Sequence, residues 1–109
     1  MIYDVAVIGA GVTGGLTAVA LAKYKLSVCL VEAGADVALG ATKANSAIVH
    51  GGYDPIPGTL KAKLNVKGAE MMADLCRRLD VHYKNNGSMV VAFDEEQLEH
   101  VRMLCERGK

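Results

Sequence analysis

Apolar residues along this chain follow two kinds of pattern. In the first third they are continuous. Tyr3 to Ile8 (YDVAVI) and Leu26 to Val31 (LSVCLV) are short, apolar and rich in β-branched side chains, which predicts two buried strands. Between them, Gly11 to about Lys23 is rich in Ala and Leu and predicts a helix. Strand, helix and strand fit within about 30 residues, the size of a βαβ unit. Such a unit pairs its strands in parallel through a crossover that is right-handed in nearly all cases.

Farther along, the pattern becomes periodic. Leu60, Leu64, Met71, Met72, Leu75 and Leu79 recur at helical spacing, predicting a long helix over Thr59 to Leu79 with one buried stripe. Thr59 is its expected N-cap, and Gly68 on the same stripe marks an expected close packing contact. Val81 to Lys84 predicts a short strand, Asn85-Asn86-Gly87 a turn, and Ser88 to Phe93 (SMVVAF) a further strand. Glu95 to Arg107 predicts a last helix. Asp94 and Gln97 have capping-box spacing, Glu95 and Glu96 fall in the positive first turn, and Leu98, Val101 and Cys105 form an apolar face. Ala33 to Gly58 is expected to be mostly loop, with one helical turn around Thr42 to Ala47.

Composition narrows the class. The chain has 109 residues, the length of one ordinary domain, and is 51% apolar and 22% charged, as a folded globular protein is. Acidic and basic residues balance at 12 each, with no basic stripe, so nothing points to nucleic acid. Cys29, Cys76 and Cys105 are far apart, with no CxxC and no metal-ligand spacing. That pattern predicts no metal site and a reducing compartment, the cytoplasm. Val5 to Ala22 carries no charge, yet neither a transmembrane span nor a signal peptide is expected. No Lys or Arg precedes it, only Asp4, and Gly9, Gly11, Gly14 and Gly15 interrupt it.

Those glycines carry the first chemical motif. Gly9-Ala10-Gly11-Val12-Thr13-Gly14 is G-x-G-x-x-G, with a predicted strand running into it and a helix opening from it. Glu32 ends the second strand, at about the 20-residue distance at which a dinucleotide fingerprint expects an acid. Gly9 permits the sharp turn. Gly11 lets a pyrophosphate approach the backbone, and Gly14 lets the helix lie close to the strand. The N–H groups opening the helix, at Val12 and Thr13 among others, and its positive dipole end would hold phosphates. Glu32, with Ala33 beside it, would meet the adenosine ribose. The competing reading is a glycine-rich turn without a ligand, with Glu32 as a surface charge. The fingerprint alone does not separate NAD from FAD, because both carry ADP.

The stretch Ala41 to Asp54 (ATKANSAIVHGGYD) separates them. Gly40 to Ser46 resembles the second flavin-contacting loop of the D-amino-acid-oxidase-like flavoproteins, and His50-Gly51-Gly52 resembles their segment beside the isoalloxazine ring. Pro57 to Leu64 (PGTLKAKL) and Asn86 to Ala92 (NGSMVVA) match the same group. The resemblance covers essentially the whole chain. It is closest to FAD-dependent glycerol-3-phosphate dehydrogenases of the anaerobic type and to L-2-hydroxyglutarate oxidases.

The resemblance implies an α/β fold: the N-terminal part of a Rossmann-like FAD-binding domain over residues 1–79, with a connecting helix, then the start of a substrate domain over 80–109. It implies FAD as cofactor. Thr42, Asn45 and Ser46 would contact its pyrophosphate and ribityl chain, and His50 and Gly51 would lie near the ring. It assigns no catalytic base, and His50 carries no assigned proton-transfer role. It implies a small hydroxy substrate, with the electron acceptor open. Proteins of this group are several times longer, so the rest of the enzyme is expected outside these residues and the chain alone is expected to be inactive. Aerobic glycerol-3-phosphate dehydrogenases carry an arginine shortly after the corresponding His-Gly-Gly. Here Tyr53-Asp54-Pro55 follows, with no arginine before Arg77, which leaves that loop without a phosphate ligand and keeps a 2-hydroxy acid in play. The alternatives are a non-catalytic nucleotide-binding module and an NAD-linked dehydrogenase domain.

Overall fold

In the computed structural model, which describes residues 2–109, Val5–Ile8 (β1) and Val28–Val31 (β2) pair in parallel. Val5 stands opposite Val28 and Ile8 opposite Val31. Val12–Leu21 (α1) connects them and packs against both strands. The expected βαβ unit is present, with each strand shorter than its apolar run. Asp4 and Ser27 close the open end of the pair. The Ser27 N–H and hydroxyl donate to Asp4 Oδ2 at 2.8 and 2.7 Å, and the Asp4 N–H donates to the Ser27 carbonyl at 3.0 Å. The Ser27 hydroxyl, and then its N–H, hold the Asp4 carboxyl below the usual aspartate range.

Leu60–Arg78 (α2) and Glu95–Arg107 (α3) match the two later helices. The Thr59 hydroxyl accepts from the Ala62 N–H at 3.2 Å, as an N-cap does. At α3 the Gln97 N–H donates to Asp94 Oδ1 at 2.8 Å. The Gln97 side chain reaches back one residue farther than a standard capping box, accepting from the Phe93 N–H at 3.0 Å.

By contacts the chain divides into two compact units, Met1–Ala47 and Ile48–Lys109. Each has little interior: Ala10 is buried in the first, Leu104 and Pro55 in the second. The chain exposes 9150 Å². Two separate compact globules of these sizes would together expose about 7,000 Å². Several expectations fail for this reason. The strands are not buried on both faces: Val5 and Val7 are half-buried beneath α1, while Ile8 is 87% exposed. Of the expected stripe, Leu60, Leu64 and Met71 on α2 and Leu79 just after it are exposed, while Met72 and Leu75 are half-buried, on a face with Ala62, Asn65, Gly68, Ala69 and Cys76. A Cβ at Gly68 would meet only open space, so no close contact explains that glycine. On α3 Cys105 is exposed, and Leu104 supplies the buried position.

Val81–Lys84 and Ser88–Phe93 form no strand among the described residues. A strand is stable only when its N–H and C=O groups pair with a neighbour, and these segments have none.

Candidate functional site

The turn from β1 to α1 is built by three glycines, each with its own geometric reason. Gly9 sits at φ 95°, which L side chains rarely adopt, and its N–H donates to the Val31 carbonyl at 2.8 Å. A Cβ at Gly14 would lie 1.9 Å from the Gly9 carbonyl oxygen, so the helix can approach the strand end this closely only with glycine there. A Cβ at Gly11 would lie 2.9 Å from Thr42 Oγ1.

Gly11 is the N-cap of α1 and offers no side-chain cap. The Thr42 hydroxyl, from the following loop, takes that place and accepts from the Val12 N–H at 2.9 Å. Gly15 N–H makes the first ladder bond, to the Gly11 carbonyl at 2.9 Å. The N–H groups of Gly11, Thr13 and Gly14 donate to no protein acceptor among the described residues. Clustered free donors at a helix N-terminus form an anion cradle. The residues present therefore fit a diphosphate.

Glu32 follows β2 directly. Its Oε2 accepts from the Ala10 N–H at 2.7 Å and its Oε1 from the Gly34 N–H at 2.9 Å. The Gly34 bond first, then the Ala10 bond, hold its carboxyl below the usual glutamate range, with burial opposing and the Ala33 N–H adding a smaller pull. The carboxylate thus ties the end of β2 to the glycine turn. Each oxygen keeps a lone pair for a ribose hydroxyl. Ala10 is the hub of this arrangement: it is 7% exposed, its N–H goes to Glu32, and its carbonyl accepts from the Ala38 N–H at 3.1 Å. Nothing in the sequence marks Ala10 or Ala38. Ala38 holds φ 61°, where a glycine or asparagine would have been the visible clue.

The expected helical turn at Thr42 to Ala47 lies slightly earlier, with the Lys43 and Ala44 N–H groups both donating to the Gly40 carbonyl. Asn45 staples this loop. Its Nδ2 donates to the Ala41 and Thr42 carbonyls at 3.0 and 2.7 Å, and its Oδ1 accepts from the Ala47 N–H at 2.8 Å. Both of its amide hydrogens are thereby committed to the loop backbone. Ser46 is exposed and makes no hydrogen bond among the described residues.

His50 and Gly51 belong to the second unit. His50 is exposed and makes no hydrogen bond among the described residues. A Cβ at Gly51 would contact the Tyr53 ring at 3.5 Å. Gly52, at φ 98°, is the glycine this segment requires: a Cβ there would lie 2.4 Å from Val66 Cγ2 of α2. A cavity of about 670 Å³ lies in this unit between Gly52, Pro57, Thr59, Lys63 and Arg107 and includes none of the sequence-predicted site residues. Among the described residues no cluster of His, Cys, Asp or Glu could hold a metal ion, and no helix is long and apolar enough to cross a membrane.

The chain is 53% identical over 106 residues, 97% of its length, to a glycerol 3-phosphate dehydrogenase of Caloramator mitchellensis, covering 22% of that protein. It is 36% identical to a mitochondrial L-2-hydroxyglutarate dehydrogenase of Dictyostelium discoideum over 98% of the chain and 24% of the relative. It is 37% identical to a glycerol 3-phosphate oxidase of Mycoplasma genitalium over 96% of the chain and 28% of the relative. The chain thus spans about a quarter of the length of these relatives. The model of the DAO family, described as FAD dependent oxidoreductase, matches residues 4–109, and the chain belongs to that FAD-dependent oxidoreductase family.

Proposed function

We propose that this chain supplies the diphosphate- and ribose-binding part of the FAD site in an enzyme that oxidises a secondary alcohol bearing an anionic group, of the glycerol 3-phosphate type. The observation that carries this reading is the set of three free N–H groups at Gly11, Thr13 and Gly14, in a turn that Gly9 and Gly14 hold shut. Bound FAD supplies the two-electron acceptor for hydride leaving the carbinol carbon. This chain's own residues bind and orient. The free N–H groups of Gly11, Thr13 and Gly14 receive the diphosphate around Val12, whose own N–H is held by Thr42; Glu32 and Ala33 receive the ribose, and Thr42, Asn45 and Ser46 shape the loop beside them. His50 and Gly51 are assigned to the neighbourhood of the ring, with no proton-transfer role. Residues 1–79 form the cofactor-binding part and 80–109 the beginning of the substrate part, a functional division distinct from the two contact units.

The 53% identity to a glycerol 3-phosphate dehydrogenase favours that substrate type. An L-2-hydroxy acid is the second reading, favoured by Tyr53-Asp54-Pro55 standing where an arginine would follow His-Gly-Gly. Three free cysteines favour a reducing compartment, and we place the protein in the cytoplasm.

The test is a chimera. This chain replaces the matched stretch of the Caloramator relative, and the purified protein is examined for bound flavin and for anaerobic bleaching by each substrate. The expected result is a yellow protein bleached by glycerol 3-phosphate. A colourless, folded chimera would refute the cofactor assignment, and bleaching by L-2-hydroxyglutarate alone would refute the substrate.

A further inference from the structure

We propose that Thr42 is a positioning residue for the diphosphate turn, and that Gly11 lacks a side chain in order to admit the Thr42 hydroxyl. This inference rests on the FAD reading above.

The usual reason for a glycine, a backbone conformation closed to other residues, does not apply at Gly11. Its φ is −74° and its ψ −177°, extended values open to any residue. The reason is spatial, and it lies in the following loop. A Cβ would stand 2.9 Å from Thr42 Oγ1, closer than real Cβ atoms settle. The hydroxyl has little room to retreat. It accepts the Val12 N–H at 2.9 Å, and Asn45 Nδ2 holds the Thr42 carbonyl at 2.7 Å.

The chain therefore caps α1 from outside, across 30 residues of sequence. In doing so it joins the loop after β2 to the glycine turn. The hydroxyl uses a lone pair on Val12, and its proton donates to nothing among the described residues. That proton is left for the diphosphate, alongside the free N–H groups of Gly11, Thr13 and Gly14. Thr42 thus fixes the first turn and adds a donor to the same cradle.

The experiment uses the 109-residue chain and its variants T42S, T42V, T42A, G11A and G11A/T42A. Two readouts are taken: exchange of the Val12 amide in ligand-free protein by NMR, and the FAD dissociation constant. T42S should match the parent in both. T42V should speed Val12 exchange by about fivefold and weaken FAD by about tenfold, as loss of one hydrogen bond, charge-assisted in the second case, implies. G11A should weaken FAD similarly, while G11A/T42A should bind no more weakly than T42A alone, because the clash has lost its second partner. If G11A unfolds, T42A in the same chain should restore its thermal transition.

Unchanged Val12 exchange in T42V would overturn the capping role. Losses that multiply in G11A/T42A, or no rescue of folding, would overturn the pairing and return Gly11 to the diphosphate alone. If the parent chain binds no FAD, the diphosphate turn does not hold the dinucleotide without the rest of the enzyme, and amide exchange still decides whether Thr42 holds the turn.

Discussion

Gly14 and Gly15 are neighbours in α1 and should respond to alanine in opposite directions. A methyl at Gly14 would lie 1.9 Å from the Gly9 carbonyl oxygen and 3.4 Å from Val7 Cγ1. The first obstacle is backbone, which has no rotamer to change. Reaching an ordinary contact requires the helix and the turn to part by about 1.5 Å, in a region whose packing tolerates little displacement. Overpacking of this kind costs about 3 kcal/mol or more. Among the described residues of the first unit, Ala10 is the one buried apolar residue to resist it. A methyl at Gly15 would meet nothing within 4 Å. There the change should follow helix propensity alone and gain about 1 kcal/mol. The predicted gap between Gly14→Ala and Gly15→Ala is therefore about 4 kcal/mol. Urea unfolding followed by far-ultraviolet circular dichroism measures it, and an FAD titration of both variants reports on the turn. Equal stabilities for the two variants, or a destabilising Gly15→Ala, would refute the packing argument.

Gly52→Ala should cost more than about 2 kcal/mol, through its contact with Val66 and its φ of 98°; Val66→Ala in the same chain should restore only the steric share, as a double-mutant cycle would show. Asp94→Ala removes the N-cap of α3 and should cost about 1 kcal/mol in thermal unfolding. Asp80 follows α2 at φ 54°, so Asp80→Gly should gain roughly 0.5–1 kcal/mol by the same measurement. Glu32 and Asp4 both have carboxyls depressed by hydrogen bonds of the folded state. Their contribution is fully present above the ordinary carboxylate range and is lost as pH falls through the depressed values. Stability should decline on acidification, and Glu32→Gln should flatten part of that slope in pH-dependent urea titrations.

Local rules made the three helices legible. Thr59 and Asp94 cap as their residue types predict, and the first strand–helix–strand follows from two apolar runs around a glycine turn. Tertiary partners decided the rest. Ser88–Phe93 has strand-forming residues, but a strand needs a neighbour, and the described residues provide none. The stripe from Leu60 to Leu79 reads correctly as apolar, yet burial depends on what covers it, and among the described residues no other helix or strand packs on α2. In the candidate site, Gly9, Gly14 and Glu32 were visible because a fixed spacing encodes their geometry. The Thr42 link to Val12 was not, since nothing local indicates which N–H a hydroxyl 30 residues away will meet. Ala10 escaped notice because its part is played by its backbone.

On our reading, backbone donors opening α1 hold the diphosphate of FAD. Amide chemical shifts of the labelled chain, followed on titration with ADP, FAD and riboflavin, test it most directly. The Gly11, Thr13 and Gly14 amides should shift with ADP and with FAD and stay in place with riboflavin, which carries no phosphate. Binding of FAD that leaves those three amides unmoved would contradict it.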